Sequence, residues 1–365
     1  MPLEIVPYGR EHEGMVQRFN DRMAAAGSRW RFYDSHRVDW VSKDGVADAS
    51  VWRDYYVAVE DGAEVRGGYC LKHQKFRLFG ENVWLASWQG PVSEGLVDRR
   101  YSRVAVMFFM HMERLQSNLY VWGGSEKLLG FLKNAEWHLT GTSVYLFVRN
   151  ARPFARNFRP LRTSGRKRAA LDMAAATGLA DLGASAYRLI HQRRAAEFER
   201  ISAFGIWADD IWAMATAQYD MVAFRDAASL NHLMAGDGWP EVVLIKVLSG
   251  GQPVGWAALK ISKMEDDQRF GDMTVGSLVD CLALPGKEEM VVSAAVELLC
   301  DQGSDVIMTN VTHPVWDKAL KRCGFFASKN RRTFGVSPSF GIKAGTGLVA
   351  GAHFTPIDGD GPRGL

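Results

Sequence analysis

Cysteine is scarce in this 365-residue chain and is not arranged for metal binding. The four cysteines, Cys70, Cys281, Cys300 and Cys323, lie far apart and include no Cys-x-x-Cys pair. This distribution argues against a disulfide framework and against a zinc site, and it is typical of a reducing environment. We therefore expect a cytoplasmic protein that uses no metal.

Long apolar runs are missing as well. The longest extends from Val104 to Met110, far short of the roughly 20 residues that a membrane-spanning helix needs. The start, MPLEIVPYGREHEG, shows no basic stretch followed by an apolar one. We expect neither a transmembrane segment nor a signal peptide.

Common catalytic signatures are also missing, namely the Gly-x-Ser-x-Gly elbow, the His-Glu-x-x-His zinc motif and the Walker loop. GDGPRG at 359–364 matches Gly-x-Gly-x-x-Gly, but no helix follows it, so it does not predict a dinucleotide site. We expect the end of the chain to be a flexible or loosely packed tail.

The composition that remains is that of a globular protein, with 47% apolar and 23% charged residues. The length is about twice the usual domain size of roughly 150 residues, which predicts two domains. The net charge of +3 is too small to indicate a DNA-binding protein.

Two stretches of the chain share one order of predicted elements. Residues 54–78 contain two β-rich runs joined by an Asp-Gly turn, and residues 241–262 contain two joined by Gly-Gly, as in β-hairpins. An offset of 188 residues, the separation of Gly67 and Gly255, also superimposes Lys72 on Lys260 and Trp137 on Phe325. At that offset a predicted helix at 103–115 falls on 291–303, a strand at 118–123 on 306–311, and a helix at 126–137 on 314–325.

Each half therefore has a hairpin, a further strand, a helix, a strand and a helix, which predicts a sheet flanked by helices. The expected fold class is α/β (α+β), with two similar domains that each contain a mixed, mostly antiparallel sheet. We expect an N-terminal domain at 1–150, a basic helical linker at 151–185, a C-terminal domain at 186–340 and a Gly-rich tail at 341–365.

Residues 149–168 carry a run of positive charge without an acidic residue. The basic side chains are Arg149, Arg152, Arg156, Arg159, Arg162, Arg166, Lys167 and Arg168. The spacing of Phe154, Phe158 and Leu161 predicts a short amphipathic helix. The segment is either a solvated linker or a surface for phosphate, an anionic glycan or an anionic membrane, and its spacing does not choose among these.

The repeated unit resembles the GNAT (N-acetyltransferase-like) acyltransferase superfamily. The phrases WDKALKRCGFF and LGFLKNAEWH resemble the family's helix that closes on Gly-Phe or Gly-Trp. Two such units resemble the tandem proteins encoded in bacterial surface-polysaccharide gene clusters and, more distantly, the Fem-type transferases. The resemblance implies tandem GNAT-like domains and acyl-CoA as co-substrate, with acetyl-CoA the first choice.

The resemblance also implies where the coenzyme binds. The family's (Gln/Arg)-x-x-Gly-x-(Gly/Ala) loop, whose backbone N–H groups hold the pyrophosphate at a helix N-terminus, maps on residues 100–105. With the preceding arginine, the implied coenzyme-binding residues are Arg99, Arg100, Tyr101, Ser102, Arg103, Val104 and Ala105. Arg103 replaces the central glycine, so its side chain either blocks the phosphate or binds it. The counterpart in the second half carries Glu288 and Glu289, which disfavour a phosphate.

Three residues are candidates for catalysis. Glu94 follows the strand before the loop, where the family often places a carboxylate; the alternative is a surface or helix-capping residue. Asp280 lies inside an apolar β-rich run and therefore needs a polar partner. It either forms a structural ion pair or binds the acceptor substrate. His313 lies at a strand edge as a proton relay or a polar cap.

These features predict transfer of an acyl group from acyl-CoA to an amine or hydroxyl of a small-molecule or glycan acceptor near Asp280 and His313. Aminoacyl transfer from tRNA and a non-catalytic binding scaffold are the alternatives. The tryptophans, including Trp84, Trp88, Trp207, Trp212 and Trp256, are candidates for stacking on sugar rings, although tryptophans more often belong to cores or interfaces.

Overall fold

The computed structural model describes residues 3–36, 49–178, 182–183, 196–234, 242–345 and 348–359. The chain divides into two compact units. Unit 1 takes its described residues from 3–140 and 333–345, and unit 2 takes them from 141–234, 242–332 and 348–359. The domain boundaries expected from the sequence, at 150, 185 and 340, stay a prediction.

Unit 1 contains a mixed sheet with helices packed on it. Its strands are β1 (Leu3–Pro7), β2 (Val51–Glu60), β3 (Glu64–Leu78), β4 (Glu81–Ser93) and β5 (Leu119–Trp122). Its helices are α1 (Glu13–Ala25), α2 (Val104–Leu115) and α3 (Glu126–Asn134). Strands β1 to β4 are antiparallel neighbours, and β5 runs parallel to β4. The side chains of α2 and α3 share a core with β3, β4 and β5.

Unit 2 repeats this order of hairpin, strand, helix, strand and helix. Its strands include β6 (His138–Val148), β7 (Glu197–Ile201), β8 (Met221–Ala223), β9 (Val242–Ser249), β10 (Gln252–Lys263), β11 (Thr274–Ala283), β12 (Val306–Thr309), β13 (Phe326–Val336) and β14 (Ala352–His353). Residues 138–140 of β6 and 333–336 of β13 are counted with unit 1. Its helices include α4 (Ala151–Asn157), α5 (Gly165–Thr177), α6 (Ile206–Ala215), α7 (Ala227–Met234), α8 (Glu288–Asp301) and α9 (Pro314–Arg322). Two helices follow β13: α10 (Pro338–Ala344), which belongs to unit 1, and α11 (Leu348–Gly351), which belongs to unit 2. The predicted α/β (α+β) class, with mixed and mostly antiparallel sheets, is confirmed.

Each sheet is completed by a strand from the other half of the sequence. In unit 1, β5 pairs on its second side with Phe334–Val336 of β13, in antiparallel register. In unit 2, β12 pairs with β6, which follows directly on the helices of unit 1 along the chain. The sequence predicted β5 and β12, but it predicted neither of their partners, β13 and β6.

Both predicted hairpins are present. Asp61 and Gly62 have φ of 54° and 68°, and Gly250 and Gly251 have φ of 59° and 76°. Two consecutive positive φ values define the type I′ turn, whose twist matches that of the strands it joins. Local residue choice was therefore enough to place the turns between β2 and β3 and between β9 and β10.

The superimposed glycines have the same environment in the two units. A Cβ on Gly67 would lie 2.4 Å from the Val92 carbonyl oxygen and 3.2 Å from the Phe108 ring. A Cβ on Gly255 would lie 2.6 Å from the Leu282 carbonyl oxygen and 2.5 Å from Val291. In both units, a glycine on the second strand makes room for the helix that follows the third.

Part of the basic segment forms a helix, α4, which ends before Phe158, and Leu161 of the predicted apolar face lies in a following turn and is exposed. Phe154 and Phe158 are buried in a cluster with Phe270 and Met273 of unit 2. Several basic residues have partners inside the unit: Arg159 pairs with Asp266, and Arg162 with Asp172. Among the described helices, none is long and apolar enough to cross a membrane.

The expectation of a loosely packed tail is wrong for residues 348–359. Phe354, Ile357 and Asp358 are each 0% exposed. Strand β14 pairs with β8. The hydrophobic residues of this segment are few, but buried polar contacts described below hold it in place. Residues 346–347 and 360–365 of the expected tail lie outside the described residues.

Candidate functional site

The loop from β4 to α2 is built from two short turns. Ser93 ends β4, and its hydroxyl accepts a hydrogen bond from the amide of Gly95 at 3.0 Å. The carboxylate of Asp98 accepts one from the amide of Arg100 at 3.0 Å. These side-chain caps replace the backbone partners that 3₁₀ turns lack at their N-termini. Helix α2 then begins at Val104, where the resemblance placed the coenzyme loop.

Gly95 is a structural requirement of this loop that sequence reasoning missed. A Cβ on Gly95 would lie 2.7 Å from the Tyr101 carbonyl oxygen and 2.8 Å from Ser102 Cα. The two turns therefore pack backbone to backbone at this point. The only sequence signal is the order Ser-Glu-Gly after a strand, which does not show what the glycine approaches.

Three arginines surround the N-terminus of α2. Arg100 is bound by Asp98, with Nε 2.9 Å and Nη2 2.6 Å from Oδ2. Arg99 and Arg103 are exposed, and neither guanidinium has an ion pair among the described residues. The first turn of α2 contains no acidic residue.

The helix itself adds to this positive potential. The amide of Met107 donates to the carbonyl of Arg103, so the amides of Val104, Ala105 and Val106 have no partner within the helix. An N-terminus of this kind attracts anions through its N–H groups and its dipole. The arrangement fits a diphosphate group.

Tyr101 fastens the loop to the sheet of unit 1. Its hydroxyl donates to Glu60 at 3.1 Å, and the guanidinium of Arg66 lies 4.5 Å from the ring centroid. Burial and the hydrogen bond to Glu60 raise the pKa of Tyr101, so its hydroxyl stays protonated near neutral pH.

Glu94 belongs to the same region and is buried with two arginines. Arg22 contacts it twice, from Nε to Oε1 at 3.0 Å and from Nη2 to Oε2 at 3.1 Å. Arg66 Nη1 donates to Oε2 at 3.1 Å. Since both carboxylate oxygens already accept charged hydrogen bonds, proton transfer to Glu94 would have to compete with them. The predicted catalytic role of Glu94 stays a prediction.

Asp280 of unit 2 is fully buried in an ionic cluster. Arg225 Nε donates to Asp280 Oδ1 at 3.1 Å, and Arg225 Nη2 donates to Asp358 at 2.6 Å. The hydroxyl of Thr355 donates to Asp280 Oδ1 at 2.7 Å. Burial alone would lower the pKa of Arg225, but the two carboxylates more than offset it and raise that pKa. Of the two roles considered for Asp280, the ion pair is present; its catalytic role stays a prediction.

His313 combines strained backbone with an unsatisfied ring nitrogen. Its φ of 76° and ψ of 137° are unusual for any residue except glycine and cost on the order of 1–3 kcal/mol. Nδ1 is buried without a hydrogen-bond partner among the described residues, and the ring meets Tyr219 edge-on at 4.9 Å. Burial lowers the pKa of His313, partly offset by Asp220, so the imidazole is neutral near pH 7. A neutral imidazole can accept a proton, but its participation in catalysis stays a prediction.

The tail segment of unit 2 fills the space where β11 and β12 diverge. These parallel strands pair from Val275 with Val306 to Ser277 with Met308. Beyond that point, His353 Nε2 lies 2.8 Å from the Cys281 carbonyl, next to Asp280. On the other side, the amide of Thr312 donates to the carbonyl of Phe354 at 2.9 Å. Asp280 and His313 are thus connected through the tail and Tyr219, whose ring stacks on His353 at 4.8 Å.

The counterpart of the coenzyme loop in unit 2 has mixed charge. A cavity of about 360 Å³ at the start of α8 is lined by Gly286, Lys287, Glu289, Met290, Ser293 and Arg322. Glu288 accepts from the amide of Gly286 at 3.3 Å, and Glu289 pairs with Arg322 at 3.3 Å. Glu288 therefore occupies a backbone amide, and Glu289 pairs with an arginine, that could otherwise bind a phosphate. Among the described residues, no group of three or more His, Cys, Asp or Glu side chains is placed to hold a metal ion.

Comparison with known proteins identifies the fold. No family model and no curated protein matches the sequence. N-myristoyltransferase from Saccharomyces cerevisiae with bound myristoyl-CoA is similar at a TM-score of 0.57 and 9% identity, over 92% of this chain and 84% of that one. A GCN5-related N-acetyltransferase from Anabaena variabilis is similar at 0.55 and 11% identity, over 92% and 72%. The chain therefore has a GNAT-like fold along most of its length.

Proposed function

We propose that the chain is an acyltransferase that takes an acyl group from acyl-CoA and binds the coenzyme diphosphate at residues 99–105 of unit 1. The observation that carries the proposal is the N-terminus of α2. It combines amides without intrahelical partners, no acid in the first turn and the exposed guanidinium groups of Arg99 and Arg103. Arg103 then acts as a phosphate ligand in place of the glycine usual in the family.

The contrast between the two units supports this location. In unit 2, Glu288 and Glu289 lie in the first turn of α8, and residues 352–358 occupy the gap beside β11. Both features disfavour a coenzyme there. The structural neighbours support the reaction class, since one was solved with myristoyl-CoA and another is an N-acetyltransferase.

The transfer reaction sets the chemical requirements. The acceptor amine or hydroxyl loses a proton as it forms a bond to the thioester carbonyl carbon, the C–S bond breaks, and coenzyme A leaves as the thiol. The chain must position the thioester and accept the acceptor's proton. Glu94, Asp280 and His313 are the candidate proton acceptors, and of these His313 has a neutral ring nitrogen without a bonded partner among the described residues.

The acceptor that we propose is an amine or hydroxyl of a sugar-type molecule, as in surface-polysaccharide biosynthesis. This choice depends on the resemblance to tandem proteins of polysaccharide gene clusters. Aminoacyl transfer from tRNA and a non-catalytic scaffold are the alternatives, and both predict no binding of acyl-CoA.

Calorimetry with coenzyme A, acetyl-CoA and myristoyl-CoA tests the proposal. We compare the wild type with Arg103→Ala and with Arg322→Ala, which removes the arginine that lines the cavity at the start of α8 in unit 2. We expect Arg103→Ala to weaken coenzyme binding about tenfold, equivalent to about 1.4 kcal/mol, and Arg322→Ala to leave it unchanged. A larger effect of Arg322→Ala would move the site to unit 2.

Absence of binding by the wild-type protein to all three compounds would refute acyl transfer from coenzyme A. Salt-dependent binding of tRNA would then favour the aminoacyl alternative. If coenzyme binding is found, loss of turnover in His313→Gln with unchanged coenzyme affinity would identify His313 as part of the catalytic machinery.

A further inference from the structure

Three aromatic rings form a continuous surface across the sheet of unit 1. Trp52 of β2 stacks on His73 of β3, with ring centroids 4.8 Å apart and planes within 14°. Trp84 of β4 approaches Trp52 at 4.9 Å with its plane tilted by 57°. We name Trp52, His73 and Trp84 the aromatic platform.

The register of the sheet explains how the rings meet. Trp52 lies directly opposite His73, and Trp84 lies opposite Lys75, two residues further along β3. Side chains two residues apart on a strand share one face. The two tryptophans therefore lean over the intervening strand β3 from both sides, and Trp84 stays 37% exposed.

A carboxylate orients the platform. Trp52 Nε1 donates to Asp54 Oδ2 at 3.1 Å. His73 Nε2 lies 3.0 Å from the same oxygen but is not aligned for a hydrogen bond to it. The side chain of Asp54 remains 42% exposed beside the rings. Trp84 is the exposed ring of the three, whereas Trp52 and His73 are partly buried. An exposed indole next to a fixed polar group is typical of ligand-binding surfaces.

The chemistry of this surface matches a carbohydrate. A pyranose ring presents apolar C–H groups on its face, which pack on an indole, and hydroxyl groups at its edge, which donate to a carboxylate. The carboxylate of Asp54 lies beside the rings, so the platform is not a basic patch for a phosphate chain. These features favour a neutral sugar.

From this geometry we infer that the aromatic platform of Trp52, His73 and Trp84, with Asp54, is a binding site for neutral oligosaccharides. The platform lies near the N-terminal end of β4, whereas the proposed coenzyme loop follows its C-terminal end. The nine residues from Trp84 to Ser93 span about 30 Å of strand at roughly 3.3 Å per residue. The site therefore anchors a glycan away from the coenzyme loop and does not depend on acyl transfer.

Titration with cellohexaose and with chitohexaose, without coenzyme A, tests the inference. The readout is the NMR shift of the tryptophan indole N–H signals, assigned by single substitutions. We expect at least one of the two glycans to bind with a Kd on the order of 1 mM and to shift the signals of Trp52 and Trp84. Trp84→Ala should weaken that binding about tenfold, as expected for an exposed aromatic contact.

Trp30→Ala is the matched control, because Trp30 is 51% exposed in the same unit and lies outside the platform. It should bind the glycans as the wild type does. Equal losses in both variants, or no shift with either glycan up to about 10 mM, would overturn the inference. Binding to phosphatidylcholine vesicles that Trp84→Ala abolishes, without glycan binding, would also overturn it and identify a lipid contact instead.

Discussion

Replacement of Gly95 by alanine should separate the two turns that carry the proposed coenzyme loop. The new Cβ would lie 2.7 Å from one backbone atom and 2.8 Å from another, in Tyr101 and Ser102. Backbone cannot move aside as a flexible side chain does, so the turns must shift by several tenths of an ångström. Overpacking of this kind costs about 1–3 kcal/mol of unfolding free energy.

Gly130→Ala is a control of opposite sign. Gly130 lies within α3, and nothing approaches the position of its Cβ within 4 Å. Alanine there should raise the unfolding free energy by about 0.5–1 kcal/mol, because glycine is a poor helix former.

Denaturant unfolding measures both variants, and calorimetry measures their affinity for coenzyme A. We expect Gly95→Ala to lose stability and about tenfold in coenzyme affinity, and Gly130→Ala to gain stability with unchanged affinity. A Gly95→Ala protein that is as stable as the wild type would show that the two turns are not tightly packed. A destabilised variant with normal affinity would show that their spacing does not matter for the coenzyme.

Three further predictions concern buried charge. Arg225→Met should lower the unfolding free energy by about 3–5 kcal/mol, measured with denaturant, because Asp280 and Asp358 lose their cation; a loss under 1 kcal/mol would contradict the buried ion cluster. Burial lowers the pKa of His353 to about 3, so between about pH 6.5 and pH 3 the unfolded chain binds more protons than the folded one. The unfolding free energy should therefore fall as the pH drops through this range, by up to about 1.4 kcal/mol per pH unit. His353→Phe should flatten this slope, and an unchanged slope would refute the assignment. Glu94→Gln should lower the unfolding free energy by about 2 kcal/mol, because it weakens the charged hydrogen bonds from Arg22 and Arg66. A loss of activity larger than the loss of folded protein would identify Glu94 as a proton acceptor.

Local features of the fold could be predicted from the sequence, and long-range partners could not. The Asp-Gly and Gly-Gly turns need only two residues, since positive φ at both positions favours one turn type. An acid in the apolar run around Asp280 predicted a buried partner, but Arg225 is 55 residues away and no pattern selects it. The pairing of β13 with β5 was likewise hidden, because any edge strand offers the same backbone groups.

In the candidate site, too, the sequence predicted local positions but not the partners that come from other elements. The resemblance located residues 99–105 at the start of a helix, as observed. It did not show that Asp98 holds Arg100, or that Glu94 is enclosed by two arginines from other elements. The aromatic platform was missed as a unit, because Trp52, His73 and Trp84 come together only through the register of three strands. In the sequence, Trp84 is one of several tryptophans that could stack on sugar rings, and no pattern distinguishes it from the others.

The pairing of strands from distant parts of the sequence bears on how the protein is made. A ribosome that has released the first 140 residues has supplied β5 of unit 1, but the strand that covers its open edge, Phe334–Val336, emerges nearly 200 residues later. Until then the edge of β5 can pair with foreign strands. Contacts of such long separation slow folding, and they also mean that neither half encodes a complete sheet. Expression of either half alone should therefore yield an aggregation-prone fragment.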